Sequence, residues 1–142
     1  MVEHTIRLLK ECDNGCKMAV ASMEQLLEYV EEKKLRDGVL ACIRQHKDFE
    51  ERAWKILSDL KETGKEPKAM EAAWARLATG VKMHGGGDRE AARVLTDGCS
   101  MGIKALCGFK NQYPGASAAA RELADGLISS EEALREQLKV YL

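Results

Sequence analysis

Residues 35–60, LRDGVLACIRQHKDFEERAWKILSDL, decide the fold class of this chain. Apolar side chains and one histidine recur there at steps of three and four, namely Leu35, Val39, Cys42, His46, Phe49, Ala53, Leu57 and Leu60. Because an α-helix turns once every 3.6 residues, this spacing places all of them on one face. The stretch therefore predicts a long helix that buries one side, and Gly64 is expected to end it.

An equally regular stripe precedes this helix. Its members are Ile6, Leu9, Cys12, Cys16, Ala19 or Val20, Met23, Leu27 and Val30. The five-residue step from Val30 to Leu35 breaks the phase, which indicates a tight turn near Glu31 to Lys33. Two helices joined so closely are expected to be antiparallel neighbours.

Shorter stripes follow on the C-terminal side. Pro67 is expected to open a short connecting helix carrying Met70, Trp74, Leu77 and Val81, which stops at residues 84–87. Asp88 is expected to cap a fourth helix that runs to about Gln112 and carries Ala92, Leu95, Cys99, Ile103 and Leu106. Gly98 and Gly102, four residues apart on it, predict a close helix approach.

The last segment allows two interpretations. Asp125-Gly126 could end one helix, and Ser129 to Glu132 could open another through a capping box. Ala120, Leu123, Leu127, Ser130, Leu134, Leu138 and Tyr141 nevertheless keep one phase, so we predict a single helix, with a bend at Gly126 as an option. No strand-like alternation of useful length occurs, which argues against an α/β enzyme.

Composition restricts the class of protein further. The 142 residues carry a net charge of -1 without any concentration of basic residues, so a nucleic-acid partner is not expected. There is neither a signal sequence nor a run of 18 apolar residues, so we expect no membrane association. Five cysteines cannot all pair within one chain, and they are interpreted as reduced thiols of a cytoplasmic protein. A single domain over residues 1–142 is expected.

Several stretches resemble a known family. They are Asp13-Asn14-Gly15, the run from Leu35 through His46-Lys47-Asp48-Phe49, and Asp97-Gly98 followed by Ile103 to Leu106. With the helix order, they look like an uncharacterised bacterial family among the ferritin-like four-helix bundles. The resemblance implies an all-α, antiparallel four-helix bundle with a short extra connecting helix.

The resemblance also implies where metal ligands would stand, and the sequence departs from that pattern. Ferritin-like metal proteins use a Glu on two helices and a Glu-x-x-His pair on the other two. The residues three before His46 and His84 are Ile43 and Val81, and His4 lies too near the start for the test. A carboxylate-bridged di-iron site is therefore not expected.

Similar heights in an antiparallel bundle would bring together Cys16, His46, Cys99 and either Ser130 or Glu131. Thiolate and imidazole suit zinc or copper(I) better than iron or magnesium. Glu50, one turn after His46, is a further candidate ligand or a residue at the core edge. The alternative interpretation is that the cysteines are small core side chains and that His46 makes one hydrogen bond to a buried carboxylate or carbonyl.

Three other features have a functional and a structural interpretation. Cys12 and Cys16 could respond to oxidants, but nothing lowers the pKa of a thiol in mid-helix beside Asp13. Residues 84–88 could hold an anion at a helix start. They lack the Gly-Lys-Ser/Thr ending of a phosphate-binding loop, however, and a loop between helices is the expected structure. Trp54 and Trp74 could anchor a partner, although large aromatics at helical spacing are more often core.

These observations leave two classes of function. The first is a non-catalytic scaffold or interaction protein of ferritin-like shape, with a protein partner or homodimerisation and no cofactor. The alternative is a metal-binding or redox protein with zinc, copper or iron at Cys16, His46, Glu50, Cys99 and Glu131. Fold analogy cannot choose between them, because function belongs to a site.

Overall fold

The computed structural model describes residues 2–62 and 87–142, and this part of the chain is helical without strands. Four α-helices account for most of it: α1 (Val2–Leu26), α2 (Lys33–Asp59), α3 (Asp88–Gln112) and α4 (Ala118–Leu138). Short 3-10 turns follow α1 at Leu27–Tyr29 and α4 at Lys139–Tyr141. The predicted connecting helix from Pro67, with Trp74, lies outside the described residues, as do the boundary residues Gly64 and His84.

The helices pack around a shared interior. α1 contacts α2, α3 and α4, while α4 contacts α2 and α3. No described helix is both long enough and apolar enough to cross a membrane. The prediction of one uninterrupted last helix is confirmed, because α4 continues through Gly126 and Ser129 without a break.

The interior consists of two apolar clusters stacked along the helices. The upper cluster contains Ala19, Met23, Leu26, Val30, Leu35, Val39, Cys42, Ile43, Ala91, Ala92, Val94, Leu95, Cys99, Leu134 and Leu138. The lower cluster contains Leu8, Leu9, Cys12, Cys16, Ala53, Leu57, Leu106, Ala116, Ala120, Leu123, Ala124 and Leu127. Each helix contributes to both clusters, so the boundary between them crosses the middle of every helix.

Hydrogen bonds tie the helix ends together in two places. The Asp88 carboxylate accepts from the backbone amides of Glu31 (2.6 Å) and Glu32 (3.2 Å), which joins the start of α3 to the α1–α2 connection. At the start of α1, His4 Nδ1 accepts from the Gly115 amide and Thr5 Oγ1 accepts from the Ser117 amide, both at 2.8 Å. These contacts join α1 to the α3–α4 connection.

Two predicted helix boundaries were wrong. Asp88 is the first residue of α3 and its side chain does not cap that helix, because the carboxylate is used by the amides at the start of α2. α2 ends at Asp59 rather than near position 64, and Lys61 takes the left-handed conformation, with φ 58°. The Glu62 amide then donates to the Leu57 carbonyl (2.8 Å), which completes a Schellman ending without glycine.

α2 and α4 approach closely at Gly126. A Cβ atom at this position would lie 2.6 Å from the Phe49 ring, whereas a Cβ at Gly108 on α3 would meet nothing within 4 Å. We expect Gly126→Ala to lower the free energy of unfolding by about 1 to 3 kcal/mol through overpacking. The matched control Gly108→Ala should raise it by about 0.5 to 1 kcal/mol, because alanine favours the helix.

Urea unfolding followed by circular dichroism at 222 nm measures both changes. Equal stabilisation by the two alanine substitutions would contradict the close contact between Phe49 and the backbone of α4.

Candidate functional site

A buried histidine and a buried glutamate face each other at the boundary between the two apolar clusters. His46 follows Ile43 of the upper cluster on α2, and Glu131 lies between Leu127 and Leu134 on α4. Only 1% of His46 and 6% of Glu131 is exposed. His46 Nε2 and Glu131 Oε1 are 3.6 Å apart. We call these two residues the central pair.

The backbone of α2 fixes the orientation of the His46 ring. Nδ1 lies 2.9 Å from the Cys42 carbonyl oxygen, one turn earlier on the same helix. Because a carbonyl can only accept, Nδ1 carries a hydrogen and donates it. Nε2 is therefore the ring nitrogen that can gain or lose a proton, and it points towards Glu131.

A glycine on α3 makes room for the Glu131 carboxylate. A Cβ atom at Gly102 would lie 2.5 Å from both carboxylate oxygens. The predicted close approach at Gly102 is therefore an approach of the Glu131 side chain to the backbone of α3. Any larger residue at position 102 would have to displace this carboxylate.

The proton equilibria of the central pair are strongly shifted. Burial disfavours a charged imidazole, but interactions with Cys42 and Glu131 outweigh burial and raise the pKa of His46 to about 10. Burial raises the pKa of Glu131 as well, and the facing imidazole offsets this only in part. The central pair therefore holds at least one proton at neutral pH.

A short chain of polar groups adjoins the central pair. The Ser130 hydroxyl donates to Gln45 Oε1 at 2.6 Å, and Cys42 Sγ lies 3.6 Å from the same hydroxyl oxygen. Since the hydroxyl hydrogen is used for Gln45, the Cys42 thiol is the donor to Ser130. These contacts link α2 to α4 beside His46. Cys42 belongs to the predicted apolar stripe of α2, and no sequence pattern indicated this contact.

Two small cavities flank the central pair. One of about 20 Å³ is lined by Glu11, Gly15, Gly102, Phe109 and both members of the pair, among others. The second, of about 10 Å³, is lined by Cys42, Cys99 and the pair, with apolar neighbours. A space of 10 to 15 Å³ accommodates about one water-sized probe, so neither cavity accommodates an organic substrate.

The five candidate ligands lie in different surroundings. His46 and Glu131 face each other, and Cys99 lines the smaller cavity with them. Cys16 belongs to the lower cluster, and Glu50 lies half-buried at a surface hollow with Asp13, Lys17 and Lys47. Among residues 2–62 and 87–142, no three His, Cys, Asp or Glu side chains are grouped so that they could hold a metal ion.

Three of the buried thiols, those of Cys12, Cys16 and Cys99, have raised pKa values. Burial raises the pKa of Cys12 and of Cys99 to about 12, and it raises that of Cys16 well above its ordinary value. Nearby carboxylates add to this effect, Glu11 and Asp13 at Cys12 and Glu131 at Cys99. A thiol reacts through its thiolate, so these side chains are protonated and unreactive at neutral pH.

Comparisons with protein-family models, curated proteins and solved structures found no match to this chain. The chemistry of the site must therefore be argued from its own residues.

The central pair should make stability depend on pH. Because the pKa of His46 rises from 6.5 when unfolded to about 10 when folded, its contribution is complete below pH 6.5 and is lost as the pH rises through 10. We expect the free energy of unfolding to fall between pH 7 and 8.5, with a slope approaching one proton, about 1.4 kcal/mol per pH unit. Urea unfolding at a series of pH values measures this slope.

Glu131→Gln should flatten the slope, because an amide cannot carry the charge that favours the imidazolium. The exposed neighbour Glu132 provides the control variant Glu132→Gln, which should retain the wild-type slope. An unchanged slope in Glu131→Gln would contradict the contribution of Glu131 to the raised pKa of His46.

The thiols should differ sharply in reactivity. Cys107 is exposed, whereas Cys12, Cys16, Cys42 and Cys99 are buried. We expect one thiol per chain to react with Ellman's reagent under native conditions and four more only after denaturation. Cys107→Ser should abolish the native reaction, and a second fast thiol in that variant would show that a buried cysteine is reactive.

Proposed function

We propose that this chain is a non-catalytic helical scaffold or interaction protein, with the helix arrangement of a ferritin-like bundle but without its di-iron ligand set. The observation that carries the proposal is the interior around the central pair. It offers one water-sized cavity on each side, thiols whose raised pKa keeps them protonated, and a histidine engaged with a carbonyl and a carboxylate. Such an interior stabilises a shape and leaves no room for a substrate.

The contacts at the helix ends support an antiparallel arrangement within this proposal. Asp88 joins the start of α3 to the start of α2, and His4 joins the start of α1 to the segment before α4. α2 and α3 would then run one way, and α1 and α4 the other. Each helix would be antiparallel to its two main neighbours, which is the helix order of ferritin-like bundles with one long crossover.

The exposed tryptophan supports the interaction role. Trp54 is 59% exposed on α2, although aromatics at helical spacing are usually core. It borders a hollow of about 230 Å³ lined by Asp13, Lys17, Lys47, Glu50 and Glu51. Tryptophan is enriched among the residues that carry binding energy at protein interfaces. We therefore place the contact surface for a protein partner, or for a second copy of this chain, at this face of α1 and α2.

One observation favours the alternative, a noncanonical site for zinc, copper or iron. Metal-binding histidines usually donate their second ring hydrogen to a carbonyl or carboxylate, as His46 does to Cys42. Cys99, His46 and Glu131 also line one cavity. This alternative predicts that the purified protein contains bound metal.

Metal content and association state test the proposal together. Protein purified without a metal-affinity tag should contain only traces of zinc, copper, iron and manganese by mass spectrometry, as should His46→Ala. Sedimentation velocity should show self-association in the wild type that weakens in Trp54→Ala, or a monomer in both if the partner is another protein.

Near-stoichiometric metal in the wild type that disappears in His46→Ala would overturn the scaffold proposal. Since His46→Ala leaves Glu131 buried without its partner, a double variant His46→Leu/Glu131→Leu serves as the folded control. Replacing both members of a buried pair by apolar residues is often neutral or stabilising. A folded double variant with unchanged association would support a structural role for the pair.

A further inference from the structure

The central pair has two polar atoms without a hydrogen-bond partner in the described part of the protein. These atoms are His46 Nε2 and Glu131 Oε2, and both are shielded from bulk solvent. Burying such a group without a hydrogen bond costs about 1 to 3 kcal/mol. Direct contact does not relieve this cost, because the 3.6 Å between Nε2 and Oε1 exceeds the usual 2.7 to 3.2 Å of a hydrogen bond.

The larger of the two cavities lined by His46 and Glu131 has room for one water molecule. It measures about 20 Å³, and His46, Glu131 and Gly102 all contribute to its wall. A buried water needs roughly 10 to 15 Å³ of this kind of volume and two to four polar partners. His46 and Glu131 supply two such partners, which meets the lower limit.

We infer that this cavity is a binding site for a single water molecule that bridges His46 Nε2 and Glu131 Oε2 and relays a proton between them. With the imidazole charged, Nε2–H donates to the water and the water donates to the carboxylate. When the water passes one hydrogen to Oε2 and takes the hydrogen from Nε2, the imidazole and the carboxyl group both become neutral. One N–H bond breaks, one O–H bond forms, and the water is regenerated.

Two glycines give this site its shape. Gly102 lets the carboxylate lie against the backbone of α3, since a Cβ there would overlap both oxygens. Gly15 on α1 also lines the cavity, and a Cβ at that position would meet no atom within 4 Å. The proposed water therefore lies between residues of all four helices that line the cavity. The inference does not rest on the scaffold proposal, because it concerns only this cavity.

A crystal structure of the wild-type protein at 1.5 Å resolution or better tests the site directly. We expect one peak of water density within hydrogen-bond distance, about 2.7 to 3.2 Å, of both Nε2 and Oε2. Either a dry cavity with a direct His46–Glu131 hydrogen bond or a peak with the anomalous signal of a metal would overturn the inference. The anomalous result would at the same time contradict the scaffold proposal, whereas the dry cavity would leave it intact.

Oxygen-17 magnetic relaxation dispersion tests the same site in solution. The double variant His46→Leu/Glu131→Leu removes both polar partners, so it should lose one long-lived water relative to the wild type. Thr96→Val is the control, because Thr96 Oγ1 is also buried without a partner but does not line this cavity. Equal counts of long-lived waters in the wild type and the double variant would overturn the inference, and if the double variant does not fold, the crystal structure decides alone.

Discussion

The buried contact between His46 and Glu131 is the constraint on which the rest of the interior depends. It stands where the upper and lower clusters meet, and it joins α2 to α4 while the Glu131 carboxylate lies against α3. A carboxylate in this position is tolerated because an imidazole faces it, and the imidazole is held in place by the Cys42 carbonyl.

This constraint explains the chemistry of the nearby thiols. The same low-polarity surroundings that strengthen the attraction between His46 and Glu131 disfavour a thiolate at Cys16 or Cys99, and the negative charge of Glu131 adds to the effect. One buried histidine thus acquires a high pKa while the thiol pKa values of Cys16 and Cys99 are raised as well. The interior thus favours the protonated forms of the His46 imidazole and of the Cys16 and Cys99 thiols.

Much of the fold could be predicted from periodicity, because apolar side chains spaced as from Leu35 to Leu60 share one face in an α-helix. The phase of α4 correctly outweighed the local turn signal at Gly126. The wrong prediction for Asp88 depends on a contact between distant segments. Asp88 has the identity of a cap, but the amides of Glu31 and Glu32 use its carboxylate, and no local pattern reveals that competition. The left-handed Lys61 was missed because glycine is the usual residue there.

For the site, the sequence named Cys16, His46, Glu50, Cys99 and Glu131 as candidate metal ligands, and that assignment stays a prediction. Helical spacing alone could not show that His46 and Glu131 face each other. The hydrogen bonds between helix ends have a further consequence. His46 lies on α2, which follows α1, and Glu131 lies on α4, which follows α3. The Glu31–Asp88 and His4–Gly115 hydrogen bonds join these two pairs of helices. The part of the raised pKa of His46 that comes from Glu131 therefore exists only where the second pair of helices packs against the first.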